Sequence, residues 1–158
     1  MDAPRTYNEK LAWLKIYNQK PEYVLMVDKA EAKNVVRKRL GGDSILIPTY
    51  GVWDRFQDID FDSLPNQFVL KATNGRGGEG VIICRDKSKL DKKDAKRKLE
   101  HSMKINWKIE REWVYRDIKP RIIAEQLLQN SDGSPLDDWK LMCFGGGAQA
   151  LVLCFRPF

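Results

Sequence analysis

The feature that most constrains the fold is a glycine-rich segment, residues 72–80 (ATNGRGGEG), which lies between two apolar runs. The run before it, residues 67–71 (QFVLK), and the run after it, residues 81–84 (VIIC), both have the apolar, β-branched character of strands. We therefore predict an antiparallel β-hairpin with a long, flexible, glycine-rich tip. Lys71 is the last residue of the strand that enters this tip.

Gly75, Gly77 and Gly80 match the pattern G-x-G-x-x-G, but their context excludes two common phosphate-binding motifs. A dinucleotide fingerprint requires a helix after the glycines, and here a strand follows. A P-loop requires G-K-[ST], which is absent. Two interpretations stay open: a hairpin lid whose backbone amides bind phosphate, or a flexible hairpin that carries a surface lysine.

The rest of the chain alternates helical and extended patterns, which predicts an α+β fold. Thr6 and Glu9 have the spacing of a capping box, and Asp28 and Glu31 repeat that spacing before a second helix. From these and similar signals we predict helices at residues 6–18, 28–40 and 88–104, strands at 45–47 and 122–128, a loop at 50–66, and a hairpin of residues 139–144 and 149–155.

Composition narrows the classes of function. The net charge is +6, but residues 85–98 alone hold eight basic and three acidic residues, so the remaining 144 residues carry only about +1. This favours a solvated basic helix, with nucleic-acid binding as an alternative. Three cysteines and one histidine form no cluster, so no zinc site is expected. Without a run of about 18 apolar residues or a leader-like N-terminus, we expect a cytoplasmic protein with no membrane span.

The order of three further features is typical of an ATP site. Lys71 precedes the glycine hairpin, an apolar strand ends in Glu125, and Lys140 follows in an Asp-x-Lys pattern. The backbone and carboxylate at the end of such a strand can meet the edge of an adenine. In this order, the lysine, the glycine hairpin, the acidic strand end and the second lysine resemble the nucleotide site of ATP-grasp proteins.

Longer stretches make the resemblance more specific. The chain resembles the TupA-like ATP-grasp family from residue 4 to residue 155, above all in residues 52–91. That family is tied to teichuronic acid and other bacterial surface-polysaccharide gene clusters, and its members are often labelled glycosyltransferases. The stretches that carry the resemblance are TYNEKLAWLKIYNQKPEY, VDKAEAKNVVRKRLG, LIPTYGVWDRFQDIDFDSLPNQFVLKATNGRGGEGVIICRDKSKLD, EWVYRDIKPRIIAEQLL and DDWKLMCFGG.

The resemblance implies an ATP-grasp fold, in which two α+β lobes hold ATP, and an activity that activates a carboxylate. It implies an N-terminal helical segment (residues 1–60), a small lobe with the glycine hairpin and hinge (61–130) and the start of a large lobe (136–158). It also implies these ATP contacts: Lys71 at the α- and β-phosphates, a lid of Asn74, Gly75, Gly77 and Gly78, adenine-lining Glu125, Gln126 and Leu127, and Lys140 near the phosphates.

The same resemblance leaves part of the enzyme unassigned. Mg²⁺ is expected in a complete enzyme, but its ligands in this family lie far along the large lobe, and no residue here matches them. The large lobe is therefore expected to be incomplete, as in a truncated chain, and no catalytic residue is assigned. The expected partners are ATP and a carboxylate or glycan acceptor. The alternative is a non-catalytic module that binds a nucleotide or a partner protein.

Overall fold

The chain contains both helices and antiparallel strands, as expected for an α+β fold. The computed structural model describes residues 3–75, 78, 80–104 and 112–154. The chain divides into two units, Met1–Gln126 and Leu127–Phe158. The elements are α1 (Tyr7–Tyr17), α2 (Glu22–Val27), α3 (Glu31–Leu40), β1 (Thr49–Trp53), β2 (Phe68–Ala72), β3 (Val81–Cys84), α4 (Lys92–Met103), β4 (Ile122–Glu125), β5 (Asp138–Phe144) and β6 (Gly147–Cys154).

Three helices precede the sheet of the first unit. The predicted capping box of α1 is present, with the Thr6 side chain accepting a hydrogen bond from Glu9 N and the Glu9 carboxylate accepting one from Thr6 N. The sequence analysis missed α2, a short helix that begins directly after Pro21, a residue type that suits a helix start. As predicted, the second capping signal leads into a helix, α3, which ends at Gly41 with a φ of 74°.

The four strands of the first unit form an antiparallel sheet in the order β1-β4-β2-β3. One face of this sheet is the hydrophobic core, where Phe68 and Leu70 of β2 pack with Ile122 of β4 and Leu99 of α4. The predicted basic helix begins later than expected, at Lys92, because Asp91 caps it by accepting hydrogen bonds from two backbone amides. The glycine hairpin of β2 and β3 is present as predicted.

The strand predicted at residues 45–47 is wrong. Ile45 is exposed, and Leu46 N donates to Asp43 O in a turn. The strand in this part of the chain is instead β1, most of which lies within the loop predicted at residues 50–66. Val52 of β1 pairs with Ile123 of β4. Its pairing with a distant strand, rather than local hydrophobicity, decides where this strand forms. β4 ends at Glu125, three residues earlier than predicted.

The second unit contains the predicted C-terminal hairpin. Strands β5 and β6 pair in antiparallel register, with Leu141 opposite Leu151, and β6 begins at Gly147 rather than at residue 149. The turn uses Gly145 and Gly146, both with positive φ, which suits glycine. Within the described part of the chain, no helix has the length and apolar character needed to cross a membrane.

Candidate functional site

The candidate site lies on the sheet face opposite the core. Because side chains alternate along a strand, Lys71 of β2 and Glu125 of β4 point away from Phe68 and Leu70. The Lys71 ammonium donates a hydrogen bond to Glu125 Oε2 at 2.8 Å. Lys71 and Glu125 are 54 positions apart in the sequence, and the sequence analysis assigned both of them to one ATP site. The structure brings these two side chains into contact.

Glu125 is a buried carboxylate shared by two lysines. Its second partner is Lys33 of α3, which forms an ion pair with Oε1. Burial acts to raise the pKa of Glu125, but the hydrogen bonds from Lys33 and Lys71 outweigh it and hold the pKa below its usual range. The carboxylate is therefore ionised at neutral pH and fixed between α3 and β2.

Lys29, just before α3, joins the same cluster. Its backbone N donates to Thr73 O at 3.0 Å, and its ammonium donates to Gly75 O at the base of the glycine segment. Burial, followed by repulsion from Lys71, lowers the pKa of Lys29. The sequence analysis missed Lys29 and Lys33; the signal was their i, i+4 spacing in residues 29–33 (KAEAK), which places two lysines on one side of a helix start.

The glycine segment is anchored against α4. Asn74 is buried, and its side-chain amide donates to Met103 O at 3.1 Å, whereas its Oδ1 has no hydrogen-bond partner among the described residues. Gly80 has a φ of 70°, and a Cβ at this position would overlap Ser102 of α4. Gly78 also has a positive φ but faces open space. Predicted lid residue Gly77 lies outside the described residues.

The other predicted ligands lie in different parts of the chain. Gln126 ends the first unit, and its backbone N donates to Pro48 O at 3.0 Å. Leu127 and Lys140 belong to the second unit, where the Lys140 ammonium lies 2.6 Å from Asp138 Oδ2, a hydrogen bond that raises the pKa of Lys140. The contacts of these residues with adenine and phosphate stay predictions.

The charges in the first unit suit an anion. Lys29, Lys33 and Lys71 gather around the single carboxylate of Glu125, while the neighbouring acids, Asp28 and Glu31, are paired with Arg121. These three lysines outnumber the carboxylate that they surround, which leaves an excess of positive charge beside the base of the glycine segment. Within the described ranges, no group of three His, Cys, Asp or Glu residues is placed to hold a metal ion, and we assign no Mg²⁺ ligand.

The basic charge of α4 is largely paired locally. Asp94 forms ion pairs with Arg97 and Lys98, at 2.5 and 2.7 Å. Lys96 lies 3.8 Å from Glu100. Just before the helix, the Lys87 ammonium donates to backbone carbonyls of the segment between β1 and β2. This pairing favours the interpretation of α4 as a solvated helix face.

Glu125→Gln is expected to remove an acid-sensitive part of the stability. Because the pKa of Glu125 is lower in the folded chain than in the unfolded one, its contribution is complete above the ordinary glutamate range. It is lost as the pH falls from that range through the lower pKa of the folded chain. Denaturant unfolding from about pH 7 down to about pH 3 should show the difference in unfolding free energy between wild type and variant narrowing toward acid. A difference in unfolding free energy that does not change with pH would contradict the pairing of the Glu125 carboxylate with Lys33 and Lys71.

Comparison with known proteins places the chain in one family. The family model described as TupA-like ATPgrasp matches residues 9–158, which is nearly the whole chain. In the two other comparisons, no curated protein and no solved structure matches this chain. The family match agrees with the resemblance of the quoted stretches and with the Lys71–Glu125 pair beside the glycine hairpin. The chain therefore belongs to the TupA-like ATP-grasp family.

Proposed function

We propose that this chain forms one side of an ATP site in an ATP-grasp protein of bacterial surface-polysaccharide biosynthesis. The observation that carries the proposal is the Lys71–Glu125 pair on the sheet face opposite the core, next to a glycine segment whose base is held by Lys29. ATP-grasp proteins in general bind ATP and Mg²⁺, so membership in the family supports the same ligand here.

Each residue of the cluster has a role in this proposal. Lys71 binds the α- and β-phosphates, and the amides of the glycine segment cover them. Lys29 adds a second cation at the base of the segment, where its ammonium already meets Gly75 O. Glu125 and the following residues Gln126 and Leu127 line the adenine, and Lys140 approaches the phosphates.

The chemistry that we propose for the full active site is carboxylate activation. Bound ATP supplies a phosphoryl group that makes a carboxylate reactive toward an amine or another nucleophile, as in a ligase or transferase. The cations of this chain would orient the phosphates and stabilise the charge that develops on them. The acceptor belongs to the synthesis of a polysaccharide such as teichuronic acid.

Lys71→Met is expected to weaken ATP binding about 10- to 100-fold, because it removes a charge-assisted contact with phosphate. Calorimetric titration of ATP with Mg²⁺ into the wild-type chain and the variant measures this. The matched control is Lys89→Met, which changes a lysine that is 82% exposed and pairs only loosely, at 3.5 Å, with Asp86. A folded wild-type chain that binds no ATP, or equal affinity in both variants, would refute the proposal.

A further inference from the structure

The two lysines that share Glu125 are held very differently. The Lys33 ammonium has three acceptors: Glu125, Ile47 O at 2.6 Å and Thr49 Oγ1 at 2.7 Å. Its side chain is 14% exposed. Lys71 is 25% exposed, and Glu125 is its one hydrogen-bond acceptor within the described part of the chain. Lys33 is thus fixed, whereas Lys71 can leave Glu125 by breaking one contact.

This difference matters when Lys71 turns toward a ligand. The Glu125 side chain is only 6% exposed, and an ionised carboxylate that loses its partner in such a place is strongly destabilised. We propose that Lys33 is a positioning residue of the ATP site, which keeps Glu125 paired when Lys71 moves from Glu125 to a phosphate. This inference rests on the proposed function, because the phosphate is what draws Lys71 away.

The surroundings of Glu125 support this division of roles. Lys33 and Lys71 are the cations that form ion pairs with Glu125 in the described ranges, from α3 and from β2. Lys29 acts on Glu125 through space, but its ammonium donates to Gly75 O. Arg121 pairs with Asp28 and Glu31. Without Lys33, none of the described residues is placed to form an ion pair with Glu125 once Lys71 has moved.

A set of four variants tests the proposal by ATP titration: Lys33→Met, Lys33→Arg, Glu125→Gln and the double variant Lys33→Met/Glu125→Gln. Lys33→Met should weaken ATP binding about tenfold, because Lys71 must then leave an unpaired carboxylate. The same change should weaken binding less than about twofold in the Glu125→Gln background, because glutamine carries no charge that Lys33 must pair with. Lys33→Arg keeps the charge and should bind ATP nearly as the wild type does.

The pH dependence gives a second readout that a purely structural role would not move. In Lys33→Met, protonation of Glu125 removes the charge that Lys71 would abandon, so the ratio of variant to wild-type affinity should improve as the pH falls. Forming this ratio at each pH cancels the titration of ATP itself. The ratio of the double variant's affinity to that of Glu125→Gln should not change with pH. Equal losses in both backgrounds, or a ratio independent of pH in Lys33→Met, would overturn the proposal.

A readout without ATP separates this inference from the proposed function. Acylation of Lys71 by acetic anhydride, followed by mass spectrometry of its peptide, reports how firmly Glu125 holds the ammonium. Lys33→Met should slow this acylation severalfold relative to the wild type, and the slowing should be smaller when Glu125 is glutamine. If the wild-type chain binds no ATP, the proposed function fails, and the acylation rates still decide whether Lys33 controls the Lys71–Glu125 pair.

Discussion

Gly80→Ala is expected to destabilise the chain by about 3 kcal/mol and to release the glycine segment from α4. Two costs combine. An alanine at a φ of 70° costs about 1–2 kcal/mol, because its Cβ crowds the backbone. The new Cβ would also overlap the Cβ and Oγ of Ser102, and overpacking of this kind costs about 1–3 kcal/mol. Ser102 cannot retreat easily, because it is buried on the same helix as core residue Leu99.

The glycine segment contains its own control. Gly78 has a φ of 81°, but a Cβ there would meet none of the described residues within 4 Å, so Gly78→Ala should cost only about 1–2 kcal/mol for the backbone conformation. Denaturant unfolding of both variants measures the difference, and ATP titration reports whether either change weakens the proposed ATP site. Equal destabilisation of the two variants would show that α4 does not back the segment. Adding Ser102→Gly to Gly80→Ala should recover part of the stability.

Local patterns in the sequence predicted much of this architecture. The glycine hairpin, the capping box of α1 and the hairpin of β5 and β6 each depend on residues within a few positions of one another, so their signals can be found along the chain. The resemblance to an ATP-grasp site implied that Lys71 and Glu125 belong to one site, at the phosphates and at the adenine. It did not predict the ion pair between them that the structure shows.

What the sequence analysis missed depends on contacts between distant residues. Lys29 and Gly75 are 46 positions apart in the sequence, and no local pattern indicates that the Lys29 ammonium donates to Gly75 O. Likewise, β1 forms where it can pair with β4, some 70 residues away, so the apolar residues 45–47 were a poorer guide than the partner strand. The length of β4 is another such case, because pairing with β1 and β2 ends at Glu125 although the apolar run continues.

The ion pairs of Arg121 with Asp28 and Glu31 lead to the second prediction of a large effect. Arg121→Met is expected to destabilise the chain by about 3 kcal/mol, because it leaves the buried carboxylate of Asp28 without its cation. The Arg121 guanidinium lies 3.3 Å from Asp28 Oδ2 and 2.9 Å from Glu31 Oε1. Asp28 would keep the backbone amides of Ala30 and Glu31, which places the cost at the lower end for a broken buried pair.

A control for this variant lies two residues away. Lys119 forms an exposed ion pair with Asp54 at 2.7 Å, and Lys119→Met should cost about 0–1 kcal/mol. Denaturant unfolding of both variants at neutral pH measures the contrast. If Arg121→Met cost no more than Lys119→Met, the interpretation of Asp28 as a carboxylate that depends on Arg121 would be wrong.

The same substitution should also affect the proposed ATP site through the backbone. Asp28 is followed directly by Lys29, whose backbone N donates to Thr73 O. Thr73 N in turn donates to Arg121 O, and Arg121 N donates to the side-chain Oγ1 of Thr73. A loosened Asp28 would therefore let Lys29 move away from Gly75, at the base of the glycine segment. ATP affinity measured on the folded variant should fall severalfold although Arg121 is not one of the proposed phosphate contacts, and it should stay at the wild-type value in Lys119→Met.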